Sequence, residues 1–125
     1  MSAREIDRHE WAEFCERFSR QHRGGRVTLE SVAPNSDTRV VAHELPLQGI
    51  TLDKAGSHQA EVVVTVGQDN GEQLTHAIAA PAKILFWETE AGAHEGLDIE
   101  SADGQVTRIR FRVPILLEAM DGVIT

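Results

Sequence analysis

The sequence predicts an α+β fold: an N-terminal helix packed on a strongly bent or barrel-like antiparallel sheet of about eight short strands. Three observations lead there. Apolar residues recur at helical spacing near the N-terminus. From Arg26 onward the apolar period is two. Nearly every connection is short and turn-like, so neighbouring strands should pair antiparallel. Strands in up-and-down order close on themselves or split into two packed layers, because closure removes exposed edges.

The helix is expected over Ile6 to Arg23. Trp11, Phe14, Cys15 and Phe18 fall at i, i+3, i+4 and i+7, a single apolar stripe. Asp7 and Glu10 have capping-box spacing, and Ile6 and Trp11 flank them at staple positions. Gly24-Gly25 ends the helix, since glycine accepts the left-handed cap conformation.

Arg26 to Val32 alternates around Val27 and Leu29, and Pro34-Asn35-Ser36-Asp37 is a turn cluster. Thr38 to Leu45 is the returning strand, with Val41, His43 and Leu45 on one face. Pro46 should end it or mark a bulge, having no N–H for the ladder. Leu47 to Leu52 reads as a short edge strand and Asp53 to Ser57 as a polar turn. Ala60 to Val66 is β-branched and strand-forming. Gln68-Asp69-Asn70-Gly71 is a hairpin turn. Leu74 to Ile78 follows, with Leu74, His76 and Ile78 sharing a face. Pro81 separates it from the strand at Ile84.

The densest apolar content lies between Ile84 and Val113, a three-strand meander. Its second hairpin has a derivable register. Leu97, Ile99, Ile109, Phe111 and Val113 are all odd-numbered, and side chains on one face repeat every second residue. Cross-strand partners must then sum to an even number. A two-residue loop at Asp103-Gly104 would set Ile99 against Arg108. A three-residue loop at Ala102-Asp103-Gly104 pairs Leu97 with Ile109 and Asp98 with Arg108, keeping one face apolar. It also places Gly104 where a positive φ is needed. Pro114 should break the last strand, and Ile115 to Met120 could form a helical turn or two.

The 125 residues suit a single domain over 1–125. Net charge is −8, which disfavours phosphate-backbone binding and anionic membrane surfaces. No apolar run reaches the ~20 residues of a membrane span, and the N-terminus shows no apolar signal core. The single cysteine, Cys15, fits a reducing cytoplasm and excludes an intramolecular disulfide. These features point to a cytoplasmic protein that binds neither nucleic acid nor membrane, as a monomer or homodimer. Its partner is an unknown protein or small molecule.

Each chemical candidate has a plainer reading. Cys15, beside Glu16 on the apolar stripe, reads as a buried structural cysteine rather than a nucleophile. His43 and His76 could point inward from separate strands and hold a metal or a ligand carboxylate, or each could donate to a core carbonyl. Arg108, Arg110 and Arg112 line one face of the last strand. Arg110 and Arg112 could clamp an anion, whereas Asp98 and Glu100 make a solvated charge ladder the better reading. Trp87 lies in Ile84-Leu85-Phe86-Trp87, apolar on both faces, so its second face is either covered within the chain or an interface. Asp69-Asn70-Gly71-Glu72 lacks the ligand series of a calcium loop. No phosphate-binding glycine loop, zinc-type Cys/His cluster or nucleophile elbow occurs, so no cofactor and no metal site is expected.

Leu97-Asp98-Ile99-Glu100-Ser101-Ala102-Asp103-Gly104, then Ile109-Arg110-Phe111-Arg112, with Arg4-Glu5-Ile6, Glu10-Trp11, Thr75-His76, Ile78 and Pro81, resemble a family of small bacterial proteins of unknown function. The resemblance implies a stand-alone bacterial domain and carries no catalytic residue with it. The functional expectation is a small cytoplasmic non-catalytic binding or interaction module. The alternative is a small-molecule carrier or simple enzyme with a site inside the barrel around His43, His76 and Trp87. A filled apolar core would remove that alternative.

Overall fold

A computed structural model describes residues 2–53, 60–68 and 71–115. In chain order these form β1 (Ser2–Glu5), a 3₁₀ turn (Arg8–Glu10), α1 (Trp11–His22), β2 (Arg26–Val32), β3 (Thr38–Asp53), β4 (Glu61–Gly67), β5 (Gln73–Ala79), β6 (Pro81–Glu88), β7 (His94–Ser101) and β8 (Val106–Ile115). Of the helical turns expected over Ile115 to Met120, Ile115 is the last residue of β8 and 116–120 lie outside the described residues, as do 54–57 of the expected polar turn and the turn residues 69–70. Among the described residues, no helix is long and apolar enough to cross a membrane.

The fold is α+β, with all strand pairs antiparallel in one eight-stranded sheet ordered β1-β6-β7-β8-β2-β3-β4-β5. The sheet is open, with β1 and β5 at its edges, so the barrel form of the expectation is not realised. It is nonetheless strongly curled. β5 and β8 are four places apart in the order, about 19 Å in a flat sheet. Yet His76 Nε2 on β5 lies 3.5 Å from Thr107 Oγ1 on β8. Ala80, at φ 48, is the single residue between β5 and β6, and its carbonyl accepts from Ala102 N–H at 2.9 Å. This sharp redirection sends consecutive strands to distant places in the sheet, so β5 and β6 do not pair.

The curl wraps around α1. Trp11, Phe14, Cys15, Phe18 and His22 are its buried residues. Phe14 and Phe18 meet Phe86 of β6, and Phe18 also stacks on Phe111 of β8 at 5.8 Å between centroids. On the other side Ser19 Oγ accepts from Ile50 N–H at 2.7 Å and shares its proton between the Ile50 and Cys15 carbonyls. That part of β3 pairs with β4, and Ser19 serves its backbone from the helix side. The strands contribute Leu29, Leu47, Val64, Ile84, Leu97, Ile99 and Ile109 to the same core.

The hairpin of β7 and β8 has the expected register, Leu97 opposite Ile109 and Asp98 opposite Arg108, and Gly104 sits at φ 93. Several details differ. The helix proper begins at Trp11, because the chain enters through the 3₁₀ turn after Ile6 N–H bonds the Ile84 carbonyl at 2.9 Å. Asp7 therefore caps only with its backbone carbonyl, to Glu10 N–H at 2.8 Å, and makes no side-chain cap. Ile6 and Trp11 do associate: Trp11 Nε1–H donates to the Ile6 carbonyl at 2.9 Å. Thr38 to Asp53 is one strand and not two, crossing from β2 to β4 near Pro46. β8 continues past Pro114, beyond its last pair with β2 at Phe111, where a proline is tolerated.

Candidate functional site

The five sequence candidates do not converge. His43 is 73% exposed at its side chain and meets Glu44 at 3.2 Å. Glu44 stands at φ 50 beside the β2–β3 register shift. The bulge resets the alternation, so Ala42 is buried and His43 turns outward, against the expectation of an inward imidazole. Arg112 Nε reaches the other oxygen of the same carboxylate at 3.0 Å, so His43 and Arg112 share Glu44 on the outer face.

Trp87 is also on the outer face, opposite Gly96, which in turn lies opposite Arg110. Gly96 carries no side chain, so Arg110 lies across it with its guanidinium 5.7 Å from the Trp87 ring centroid. Arg110 also donates to the Leu97 carbonyl at 3.1 Å and pairs with Asp98 at 2.8 Å. The expected ladder is thus corrected at this position. Arg108 is in register with Asp98, yet Arg110 takes the carboxylate and covers the tryptophan.

His76 does lie on the inner face. With Thr107, Gln105, Asp103 and Ser101 it lines a polar recess of about 230 Å³ at one mouth of the curled sheet. Gln105 Nε2 bonds Ser31 Oγ there. Burial, and then the charge of Arg39, lower the His76 pKa. Cys15 is buried and burial pushes its thiol up to about 11, an inert position.

The most unusual chemistry involves two histidines outside that set. His22 ends α1 on the same stripe, four residues past Phe18, and is 1% exposed. His94 opens β7. His22 Nε2 and His94 Nδ1 are 2.7 Å apart, a direct imidazole–imidazole hydrogen bond. Phe18 and Phe111 pack on His22 at 4.5 and 4.6 Å, and Phe86 on His94 at 4.8 Å. Burial, and then the neighbouring His94, lower the His22 pKa to about 4. Burial also lowers that of His94, against the opposing pull of Glu88. Both rings are neutral at pH 7.

The tautomers follow from His22 Nδ1, which is buried and has no hydrogen-bond partner among the described residues. A buried orphan N–H is rarer than an under-satisfied acceptor. The proton of His22 therefore sits on Nε2 and is donated to His94 Nδ1. His94 must then carry its own proton on Nε2.

His94 lines a cleft of about 220 Å³ with Arg4, Phe14, Arg17, Phe18, Gln21, Phe86 and Glu88. α1 supplies one wall, β1 another, and β6 and β7 the base. Arg4 lies 5.7 Å from the Phe86 centroid and Arg17 6.0 Å from the Phe14 centroid. Arg17 has a long ion pair with Glu13 at 3.6 Å, one helical turn away. The cleft is thus lined by an imidazole of fixed tautomer, two guanidinium groups, an amide, the Glu88 carboxylate and aromatic rings. With Nδ1 engaged and Nε2 protonated, neutral His94 has no free lone pair with which to act as a base.

Helical spacing alone could have marked His22, since it continues the Trp11–Phe18 stripe. His94 had no such signal. Register shifts between Trp87 and Glu88 and between His94 and Gly96 break the parity that places Leu97 and Ile99 inward.

A family model described as a family of unknown function, DUF5335, matches residues 2–120. No curated protein and no solved structure matches the chain.

Proposed function

We propose, for a chain that belongs to the DUF5335 family of unknown function, that it is a small non-catalytic binding module whose ligand site is the His94 cleft. The observation that carries this reading is the His22–His94 pair. It holds a neutral N–H donor in place at a cleft that also has cations and aromatic rings, and it removes the lone pair that a general base would need. The cleft is smaller than the ~300–1,000 Å³ of sites for drug-sized molecules, so its ligand is a compact one. Net charge −8 argues against nucleic acid, and the single buried cysteine supports a cytoplasmic setting.

The alternative, a carrier or simple enzyme built on His43, His76 and Trp87, has less to rest on. These three side chains lie at separate places, two outside the sheet and one within its curl. The test is a screen of compact anionic, neutral and cationic fragments by thermal shift, with hits repeated on Arg17→Ala. Stabilisation by anions that weakens in Arg17→Ala is the expected result. Hits unaffected by Arg17→Ala, or chemical turnover of a hit, would overturn the reading.

A further inference from the structure

We propose that the cleft takes a small carboxylate carried on a flat apolar ring, gripped by the N–H that His22 fixes on His94 and by the guanidinium groups of Arg4 and Arg17. This rests on the binding-module reading above and adds the ligand's chemical class and the reason for the histidine pair.

The class follows from what surrounds the cleft. Phe14, Phe18 and Phe86 contribute ring surfaces, with Phe14 and Phe86 edge to face at 5.5 Å. Such a floor suits a flat apolar body. The two guanidinium groups stand over the outer parts of that floor, each near the face of a ring. Planar guanidinium forks match the two oxygens of a carboxylate. Glu88 belongs to the same lining, and its charge works against a dianion more than against a monoanion. The volume leaves room for one ring and one acid group, not for a nucleotide.

His22 acts as a positioning residue. An extra proton on His94 would have to enter at Nδ1, the nitrogen that accepts from His22. His22 would then have to accept at Nε2 and carry its own proton on Nδ1, which is buried and has no partner among the described residues. The pair therefore resists charging, and His94 offers an uncharged donor of fixed direction. Among the described residues, the charged and titratable groups around it are His22 and Arg17 from α1, Arg4 from β1 and Glu88 from β6, while β8 presents Phe111 to His22. A guanidinium group is charged throughout the neutral range. Binding of a permanently ionised carboxylate should consequently be insensitive to pH, unlike capture by a lone histidine that titrates near 6.5.

The experiment measures the affinities of benzoate, benzyl alcohol, acetate and phenyl phosphate by NMR titration of the intact protein, following the amides of Arg4, Arg17, Gln21, Glu88 and His94. Benzoate is expected to bind at least tenfold more tightly than the other three. Its affinity should vary by less than about twofold between pH 6 and pH 8. In His22→Gln the amide can turn from donating its N–H to accepting through its oxygen when His94 Nδ1 gains a proton, so the constraint on His94 is lifted, and benzoate affinity should rise severalfold as pH falls over that interval. Should this variant fail to fold, imidazole ¹⁵N shifts of the unaltered protein give the same information. His94 Nδ1 should be unprotonated and Nε2 protonated across the range. Benzyl alcohol binding as tightly as benzoate, or phenyl phosphate binding more tightly, would overturn the ligand class while leaving a binding cleft. Proton uptake by wild-type His94 between pH 8 and pH 6 would overturn the role given to His22. No shift at the cleft with any of the four probes would overturn the binding-module reading itself.

Discussion

Acid should weaken this protein through His22, and the size of the effect can be worked out. Above pH 6.5 the imidazole is neutral in the folded and unfolded chains alike. As pH falls, the unfolded chain takes up a proton that the folded chain refuses, so stability drops. The loss ends when folded His22 itself titrates, at about 4. A depression from 6.5 to about 4 corresponds to roughly 3 kcal/mol, a large share of the 5–15 kcal/mol typical of a folded domain. His22 is 1% exposed, so solvent screening takes little from that figure. The two imidazoles share a proton and titrate as a pair, so the figure belongs to the pair. The assay is urea unfolding followed by tryptophan fluorescence from pH 7.5 to pH 4.5, on wild type and His22→Gln. Gln can keep an N–H donor toward His94 and has no proton to gain. Wild type should lose most of that ~3 kcal/mol relative to the variant as pH falls. Stability profiles that run parallel would mean that His22 is not held neutral, and the tautomer argument would fall with it.

Other expectations are more local. Gly96→Ala should be among the most damaging single changes: a Cβ there would lie 1.8 Å from the Ile109 carbonyl at φ 154, and circular dichroism melts should show a loss well beyond the ~1 kcal/mol of an ordinary glycine site. Gly104→Ala, at φ 93 in a roomier turn, should cost about 1 kcal/mol by denaturant titration, and Gly104→Asn less. A double-mutant cycle on Leu97 and Ile109 should give coupling above about 0.5 kcal/mol, since they are direct neighbours in the buried hairpin. Asp7→Ala should lower the unfolding free energy in urea titration by less than about 0.5 kcal/mol, because its side chain makes no cap.

Where local rules acted alone, the sequence was a good guide. The β7–β8 register followed from the parity of five apolar residues and the turn chemistry around Gly104. The amphipathic stripe from Trp11 to Phe18 identified the buried face of α1. What was not legible depends on backbone irregularity and long-range pairing. Glu44 at φ 50 turned His43 outward, and no pattern announces a bulge at a glutamate. The shifts around His94 turned it inward against the parity of its neighbours. β1 is not legible because all four of its residues are exposed, and among the described residues it pairs only with β6, some eighty residues away. The open order of the sheet was hidden as well. It depends on β2 meeting β8 and on the one-residue link at Ala80, not on hairpins between sequential strands.

The same irregularities explain why the candidate site is not legible in the sequence. Its parts come from β1, α1, β6 and β7, brought together by curl and by bulges. Arg4 and Arg17 carry no site signal in the sequence, and only the fold places Arg4 by the Phe86 ring and Arg17 by the Phe14 ring. Conversely, Arg110 reads as part of a solvated charge ladder, with an anion clamp as the lesser reading, until Gly96 lets it lie on Trp87. In each case the residue type was visible and its neighbour was not.

The central claim is that the cleft between α1 and the β1–β6–β7 side of the sheet is where this protein meets its ligand. Amide chemical-shift mapping on uniformly labelled protein, titrated with benzoate at pH 7, tests it most directly. The account predicts saturable shifts confined to Arg4, Arg17, Gln21, Glu88, His94 and their chain neighbours. Shifts centred on Trp87 and Arg110, or on His76 and Thr107, would place binding on the outer face or at the polar mouth and contradict it.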